Sequence, residues 1–194
     1  SPLITAGRIY ARVSGTPGLP GSVSTGIAIA NPNVTAATIN FYFTNAVGTN
    51  FGAGSFVLQP NEATGKFLDQ DPFNGGSSID GSFTFTSNVS VSVIALRGYY
   101  NERSPVSDFL LTTLPVVDLS AATTLTTIYL SHFADGGGWI TQVILVNPTD
   151  NPLTGTIQFM GEGTDTTSAA PVTLTIVGGQ TGSTFNYSIP PRTS

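Results

Sequence analysis

One stretch occurs twice in this chain and sets its organisation. The first copy is Gly26-Ile27-Ala28-Ile29-Ala30-Asn31-Pro32-Asn33, and the second is Thr141-Gln142-Val143-Ile144-Leu145-Val146-Asn147-Pro148-Thr149. Each is a short apolar run stopped by Asn-Pro. Proline has no N–H and biases the residue before it away from helix, so Asn-Pro ends a strand and opens a turn. The residues downstream of each copy also match. Thr38-Ile39-Asn40-Phe41 aligns with Thr156-Ile157-Gln158-Phe159 if the second turn is two residues longer. Gly48-Thr49 aligns with Gly163-Thr164, and Thr64-Gly65-Lys66-Phe67 with Thr181-Gly182-Ser183-Thr184-Phe185. The pattern predicts two related β domains in tandem.

Strand signals dominate the rest. Ser82-Phe83-Thr84-Phe85-Thr86 alternates strictly. Val89 to Leu96 alternates and then becomes continuously apolar, with Asn88 between the two runs at an expected hairpin turn. The first domain is expected over 22–113, with strands near 23–30, 38–44, 54–59, 64–68, 82–87, 89–97 and 108–112. Seven short strands with frequent turn signals predict a β-sandwich, and no window has a helical period. Residues 114–124 read as an interdomain connection. The second domain is expected over 125–194, with strands near 125–132, 139–146, 154–160, 172–177 and 182–188.

The two copies differ. The first continues into the Gly81-led strand, whereas the second stops before any such segment. Residues 1–21 hold a similar glycine-led strand, Gly7-Arg8-Ile9-Tyr10-Ala11-Arg12-Val13-Ser14, followed by a Pro/Gly linker. Ile9, Ala11 and Val13 face one side of it, and Arg8, Tyr10 and Arg12 the other. We therefore expect Arg8, Ile9, Tyr10, Ala11, Arg12 and Val13 to form a junction strand that completes a domain of the second type. The receiving domain is either the chain's own, by a long return, or that of the next copy. An open sandwich edge filled by a neighbour's strand is donor-strand complementation, and head-to-tail exchange generates filaments. On this expectation, removal of residues 1–14 leaves 23–112 folded.

Composition narrows the function classes. Of 194 residues, 40% are hydrophobic and only 9% are charged, against about a quarter in ordinary domains. A surface so poor in charge permits self-association or carries glycans. The net charge is −5 with six Lys and Arg in all, too few to neutralise several phosphates, so a nucleic-acid partner is not expected. There is no cysteine, which excludes a disulfide scaffold and thiolate metal sites. No apolar run has membrane-spanning length. The chain opens Ser1-Pro2-Leu3, with no Met and no signal peptide, as expected of a processed product or one period of a longer chain.

Candidate chemistry is sparse. His132, the one histidine, could be imagined in a triad with Asp135, but no nucleophile elbow accompanies it. Asp135-Gly136-Gly137-Gly138 leads into a strand rather than a helix, so it reads as a hairpin loop and not a phosphate cradle. Trp139 reads as a core anchor; an exposed ring would make it a sugar platform instead. Asp69, Asp71 and Asn74, with Asp80 nearby, offer oxygen ligands for calcium, but Phe73 stands where a further ligand is needed and no later Glu completes the loop. Arg97, Asn101, Glu102, Arg103 and Asp108 form the densest charge cluster, read as a structural Arg–carboxylate clamp at a domain or subunit contact. Glu62, Glu102 and Glu162 fall in unrelated loops, which argues against a glycosidase pair. Asn33, Asn88 and Asn186 begin N-glycosylation acceptor patterns. No cofactor and no metal is expected.

Three phrases carry a resemblance: Gly26 to Asn33; Leu96-Arg97-Gly98-Tyr99-Tyr100-Asn101-Glu102-Arg103 with Asp108-Phe109-Leu110; and His132-Phe133-Ala134-Asp135-Gly136-Gly137-Gly138-Trp139 leading to Val146-Asn147-Pro148-Thr149. They resemble tandem repeat modules of long secreted or surface proteins of bacteria, which are similar to immunoglobulin-like sandwiches. The segment from Arg103 to Asp108 is longer than in that pattern, and the second module stops before its closing strands. The resemblance implies two tandem immunoglobulin-like β-sandwiches and a cell-surface or extracellular location, and it carries no enzymatic activity. The expected function is a structural filament or surface-fibre subunit whose partners are copies of itself, head to tail, or one period of a longer repeat chain. The alternative is an adhesin or carbohydrate-binding module using Trp139, Tyr99 and Tyr100.

Overall fold

The structure, a computed structural model, describes residues 3–103, 105–121, 127–134 and 136–194. The protein is all-β, with no helix among those residues. Its first module contains β1 (Leu3–Ser14), β2 (Val23–Ala30), β3 (Ala37–Asn45), β4 (Asn50–Leu58), β5 (Ala63–Phe67), β6 (Ile79–Tyr100), β7 (Phe109–Leu114) and β8 (Val117–Asp118). These form one curled antiparallel sheet in the order β4-β3-β6-β1-β2-β5, with β7 added to β6 and β8 to β1.

Strand β6 is the spine. Its first half pairs with β1 on one edge, from Val13↔Ile79 to Ala6↔Thr86, and with β3 on the other, from Asn45↔Gly81 to Ile39↔Ser87. Its second half pairs with β2, from Ala30↔Ser92 to Val23↔Tyr99, and with β7, from Ala95↔Leu114 to Tyr100↔Phe109. Because β1 also pairs with β2 at Val13↔Ser24 and Ser14↔Val23, the sheet curls back onto its own spine. The 82–87 and 89–97 segments are thus one 22-residue strand and not a hairpin. Asn88, expected at a turn, instead accepts a hydrogen bond from the Thr38 N–H at 2.7 Å through its side chain. Local alternation could not separate a turn from a strand that changes neighbours midway, because either interrupts the pattern.

The core lies inside the curl. Phe41, Phe43, Phe73 and Phe83 pack edge-to-face and stacked, with centroids 5.2–6.3 Å apart, beside Ile9, Ile39, Leu58 and Phe85. Each fully buried Phe or Ile contributes about 1.5–3 kcal/mol. Two glycines allow the close approach of the strands. A Cβ on Gly7 would stand 2.6 Å from the Phe85 ring. Gly81 has φ 155°, and a side chain there would collide with the Thr44 carbonyl.

The strand expected at the junction is corrected by this topology. Arg8 to Val13 lie in β1, in the middle of the first module's sheet. Ile9, Ala11 and Val13 are buried against β6, so the strand is not spare. The first module accordingly begins at Leu3 and not at residue 22, and deleting residues 1–14 removes a central strand. The linker 14–21 is a tight turn with Gly15, Gly18 and Gly21 at φ 77–84°.

The second module is far less regular. It comprises β9 (Leu153–Gln158), β10 (Leu174–Thr175), β11 (Thr181–Gly182) and β12 (Thr184–Ile189), as two separate two-stranded ribbons, β9–β12 and β10–β11. Strands were expected over 125–132 and 139–146. The described residues of these segments, 127–132 and 139–146, form none apart from an isolated bridge at Trp139. The all-β class therefore holds, and the strand-rich part is one curled sheet.

Candidate functional site

The two Asn-Pro elbows are built atom for atom alike. Asn31, 1% exposed, donates its amide to the carbonyls of Thr35 (2.8 Å), Leu58 (3.2 Å) and Gln59 (3.1 Å). Its Oδ1 accepts from Asn33 N–H at 3.1 Å and Nδ2 at 2.8 Å, and its own N–H donates to the Glu62 carbonyl. Asn147, 0% exposed, donates to Asn151 (2.8 Å), Ile189 (3.2 Å) and Pro190 (2.9 Å). Its Oδ1 accepts from the Thr149 N–H and Oγ1, and its N–H donates to the Thr193 carbonyl. Asn61 and Arg192, each just after a proline, both have φ near 60°. An asparagine is required because only a primary amide offers donors and an acceptor on one short stem.

This network corrects the repeat alignment. Leu58 corresponds to Ile189, so the β3–β4 hairpin corresponds to β9–β12. Thr38 then corresponds to Thr154 and Phe43 to Phe159, with no extra residues in the first turn. The second copy instead lengthens its hairpin loop, 159–183 including β10 and β11. Thr181-Gly182 is not the counterpart of Thr64-Gly65.

The second elbow rests on the first module and makes a joint. Arg8, 2% exposed, donates Nε to Thr84 Oγ1 (2.8 Å), Nη1 to the Asn147 carbonyl (2.9 Å) and Nη2 to the Tyr42 hydroxyl (3.3 Å). Ser82 Oγ donates to the Arg192 carbonyl, and Ser194 Oγ donates to the Gly81 carbonyl at 3.0 Å. Arg192 reaches the Gly48 carbonyl and Asn50 Oδ1, and it forms an ion pair with Asp150 at 3.3 Å. Among the described residues, the acceptors that meet the Arg8 guanidinium are all neutral oxygens. Alternation correctly put Arg8, Tyr10 and Arg12 on the face opposite Ile9; what covers Arg8 there is a segment more than a hundred residues away. Arg192, Thr84 and Asn147 as joint residues had no signal beyond the repeated Asn-Pro.

The remaining side of the second module is bare. Ile128, Tyr129 and Leu130 are 80%, 89% and 66% exposed, and Trp139 and Ile140 are 70% and 84%. Trp139 closes a tight turn with Gly136, each N–H bonding the other's carbonyl. The expectation of a core anchor is overturned, because the Trp139 ring is largely exposed. A partial core exists nonetheless: Phe159 meets Phe133 at 5.2 Å and Phe185 at 5.8 Å.

The other candidates divide clearly. Within the charge cluster, Asn101 organises the loop. It is buried, its N–H and Nδ2 donate to the Asp108 carbonyl and Oδ2, and its Oδ1 accepts from the N–H groups of Arg103 and Asp108. Glu102 accepts from Tyr99 OH at 3.4 Å, and the Arg97 guanidinium lies 5.9 Å over the Tyr99 ring. The expected Arg–carboxylate clamp is replaced by this amide clamp; among the described residues no Arg97 or Arg103 ion pair forms. The loop holding Asp69, Asp71 and Asn74 is a turn around buried Phe73. Asn74 Nδ2 donates to Asp71 Oδ1, and no metal-binding cluster is present among the described residues. His132 is exposed, and Asp135, its imagined partner, lies outside the described residues. Asn33 and Asn88 use their amides within the fold, whereas Asn186 is exposed. Tyr99 and Tyr100 lie at the end of β6, and no ring contact joins them to Trp139 among the described residues. Among the described residues, no helix is long and apolar enough to cross a membrane.

No protein-family model matches the chain, and no curated protein matches it significantly. Two solved structures are similar in part. The crystal structure of Thermotoga maritima 1070 has 15% identity and a TM-score of 0.43, over 58% of this chain and 93% of that one. The Anabaena sensory rhodopsin transducer has 15% identity and a TM-score of 0.42, over 49% of this chain and 88% of that one.

Proposed function

We propose that this chain is a structural, non-enzymatic subunit of an extracellular filament or surface fibre. Its modules join head to tail by strand complementation, or as successive periods of one repeat chain. The observation that carries this reading is the unequal pair of modules. One is closed around a spine strand; the other keeps the same elbow and a partial aromatic core but leaves Ile128 to Leu130 and Trp139-Ile140 in solvent. An apolar surface of that kind marks an assembly contact, and 9% charge offers little repulsion against it. The joining strand is not β1, which is committed to its own module.

The exposed rings of Trp139 and Tyr129 favour a second reading, a carbohydrate-binding or adhesive module. Electron microscopy of the native material beside a denaturing gel separates the two. Fibres that dissociate to about the 20.1 kDa chain support complementation. Fibres that stay large in denaturant support a continuous repeat chain. Dispersed particles that bind glycans overturn the filament reading.

A further inference from the structure

We propose that β7 is a lateral docking edge that takes the β7 of a second copy of this chain, antiparallel and about a twofold axis at Leu111. The inference goes beyond the head-to-tail reading and does not rest on it. A head-to-tail contact joins unlike surfaces, whereas a twofold contact joins like ones.

A free sheet edge offers unpaired N–H and C=O groups to any other strand, and proteins guard such edges with short strands, lysines and bulges. The other edge strands of the first module are guarded in these ways. β8 is two residues long, and β5 is five residues long and carries Lys66. β4 is broken by a register shift between its partners Phe41 and Phe43, and the Arg192 side chain reaches its first residue, Asn50. β7, Phe109-Leu110-Leu111-Thr112-Thr113-Leu114, has none of these devices. It holds no charge and no proline, and its register on β6 is regular from Tyr100↔Phe109 to Ala95↔Leu114. Among the described residues β6 is its only strand partner. Phe109, Leu110 and Leu111 are 45%, 46% and 53% exposed.

The phase of the ladder selects the occupant. The Asn101 N–H donates to the Asp108 carbonyl, which makes 101 and 108 a hydrogen-bonded pair in the same register. Such pairs alternate in an antiparallel ladder, so Leu110, Thr112 and Leu114 bond to β6, while Phe109, Leu111 and Thr113 turn their N–H and C=O groups outward. On the face they share, the Phe109 ring meets Tyr100 at 4.9 Å and Phe67 at 6.3 Å. It lies over Gly98, where a Cβ would stand 2.7 Å from it. A second β7 fits this edge in one register. With Leu111 opposite the copy's Leu111, and Phe109 opposite its Thr113, every outward N–H meets an outward carbonyl and each side chain keeps its face. A shift one way sets Pro115, which has no N–H, opposite Phe109. A shift the other way carries Thr113 past the start of the strand. In the favoured register neither strand brings a charge, so nothing repels and no ion is desolvated. Half-exposed side chains of this size give roughly 400–500 Å² per copy, close to the lower limit of about 1,000 Å² in total for a specific contact, so the pair is weak and fills as concentration rises.

The chain has no cysteine, so a Leu111→Cys protein carries a single thiol. Under mild oxidation it should cross-link to a species of twice the 20.1 kDa chain, whereas Val47→Cys, at a position 75% exposed between β3 and β4, should not. In sedimentation the unsubstituted protein should pass from monomer to dimer as concentration rises. Leu111→Lys and Leu111→Glu should each weaken that dimer more than tenfold by setting like charges face to face, with the first module's melting kept. An equimolar mixture of the two should bring the dimer back, because only a twofold at Leu111 sets this residue against itself. Unsubstituted protein that stays monomeric at millimolar concentration, with no faster cross-linking at 111 than at 47, overturns the inference. So does a dimer that survives Leu111→Lys, or a mixture that stays monomeric. Slow hydrogen exchange at Phe109, Leu111 and Thr113 in the monomer assigns the edge to a segment of the same chain, and also overturns it.

Discussion

Replacing Asn31 by alanine tests the elbow quantitatively. The side chain is 1% exposed, and its two amide hydrogens are shared among three carbonyls while Oδ1 takes two donors. Two donated and two accepted bonds at about 1 kcal/mol net each give roughly 4 kcal/mol. Water can reach part of the opened network, since Asn33 is only half-buried, which brings the expected loss to about 3 kcal/mol. Asn31→Asp keeps the acceptor and loses both donors, setting a carboxylate against three carbonyl oxygens, so its loss should be at least as large. Hydrogen exchange resolved by segment is the suitable assay because it reads each module separately. Protection of β2 and β4 should fall by about a hundredfold or more, the equivalent of 3 kcal/mol at about 1.4 kcal/mol per decade. Asn147→Ala should remove protection from β9 and β12 and leave β2 and β4 nearly unchanged. A loss below about 1 kcal/mol at Asn31 would refute the argument that the amide network, and not the apolar run before it, sets the elbow.

Two further outcomes concern the joint and the core edge. Arg8→Met removes a buried cation that has no carboxylate partner among the described residues, so the first module should keep its melting temperature while residues 127–194 become protease-sensitive; coupled loss of both would mean that Arg8 is needed inside its own sheet. The Tyr10 hydroxyl is raised above its ordinary value of 10.0, first by burial and then by Asp80, whose Oδ1 it meets at 3.2 Å. Its contribution to stability is therefore fully present below pH 10.0 and is lost as pH rises from there through the folded-state value. Denaturant titrations across that alkaline range should show a steeper loss for the native protein than for Tyr10→Phe, and equal slopes would refute the shift.

Much of the first module is readable in the residues because its strands obey local rules. Val23 to Ala30 ends at Asn-Pro, Ser82 to Thr86 alternates, and the two alike elbows appear as a repeated Asn-Pro. These depend on backbone chemistry within a few residues, which sequence carries directly. The same rules fail at Asn88, where a strand that passes from one pair of neighbours to another looks like a hairpin. They fail again at 127–132 and 139–146, where good strand formers form no strand. Strand propensity describes fitness for a sheet, and the sheet is a partner that lies elsewhere.

The sequence by itself determined that this chain is all-β and carries its Asn-Pro unit twice. Tertiary structure decided which strands belong together: that β1 is central to the first module, that Arg8 holds the Asn147 elbow, and that β6 is one spine strand shared by β1, β2 and β3. The physical reason is that alternation records which face of a strand is apolar, whereas the choice of edge partner is made by backbone hydrogen bonds that every residue offers alike. Only the register between distant segments distinguishes one partner from another.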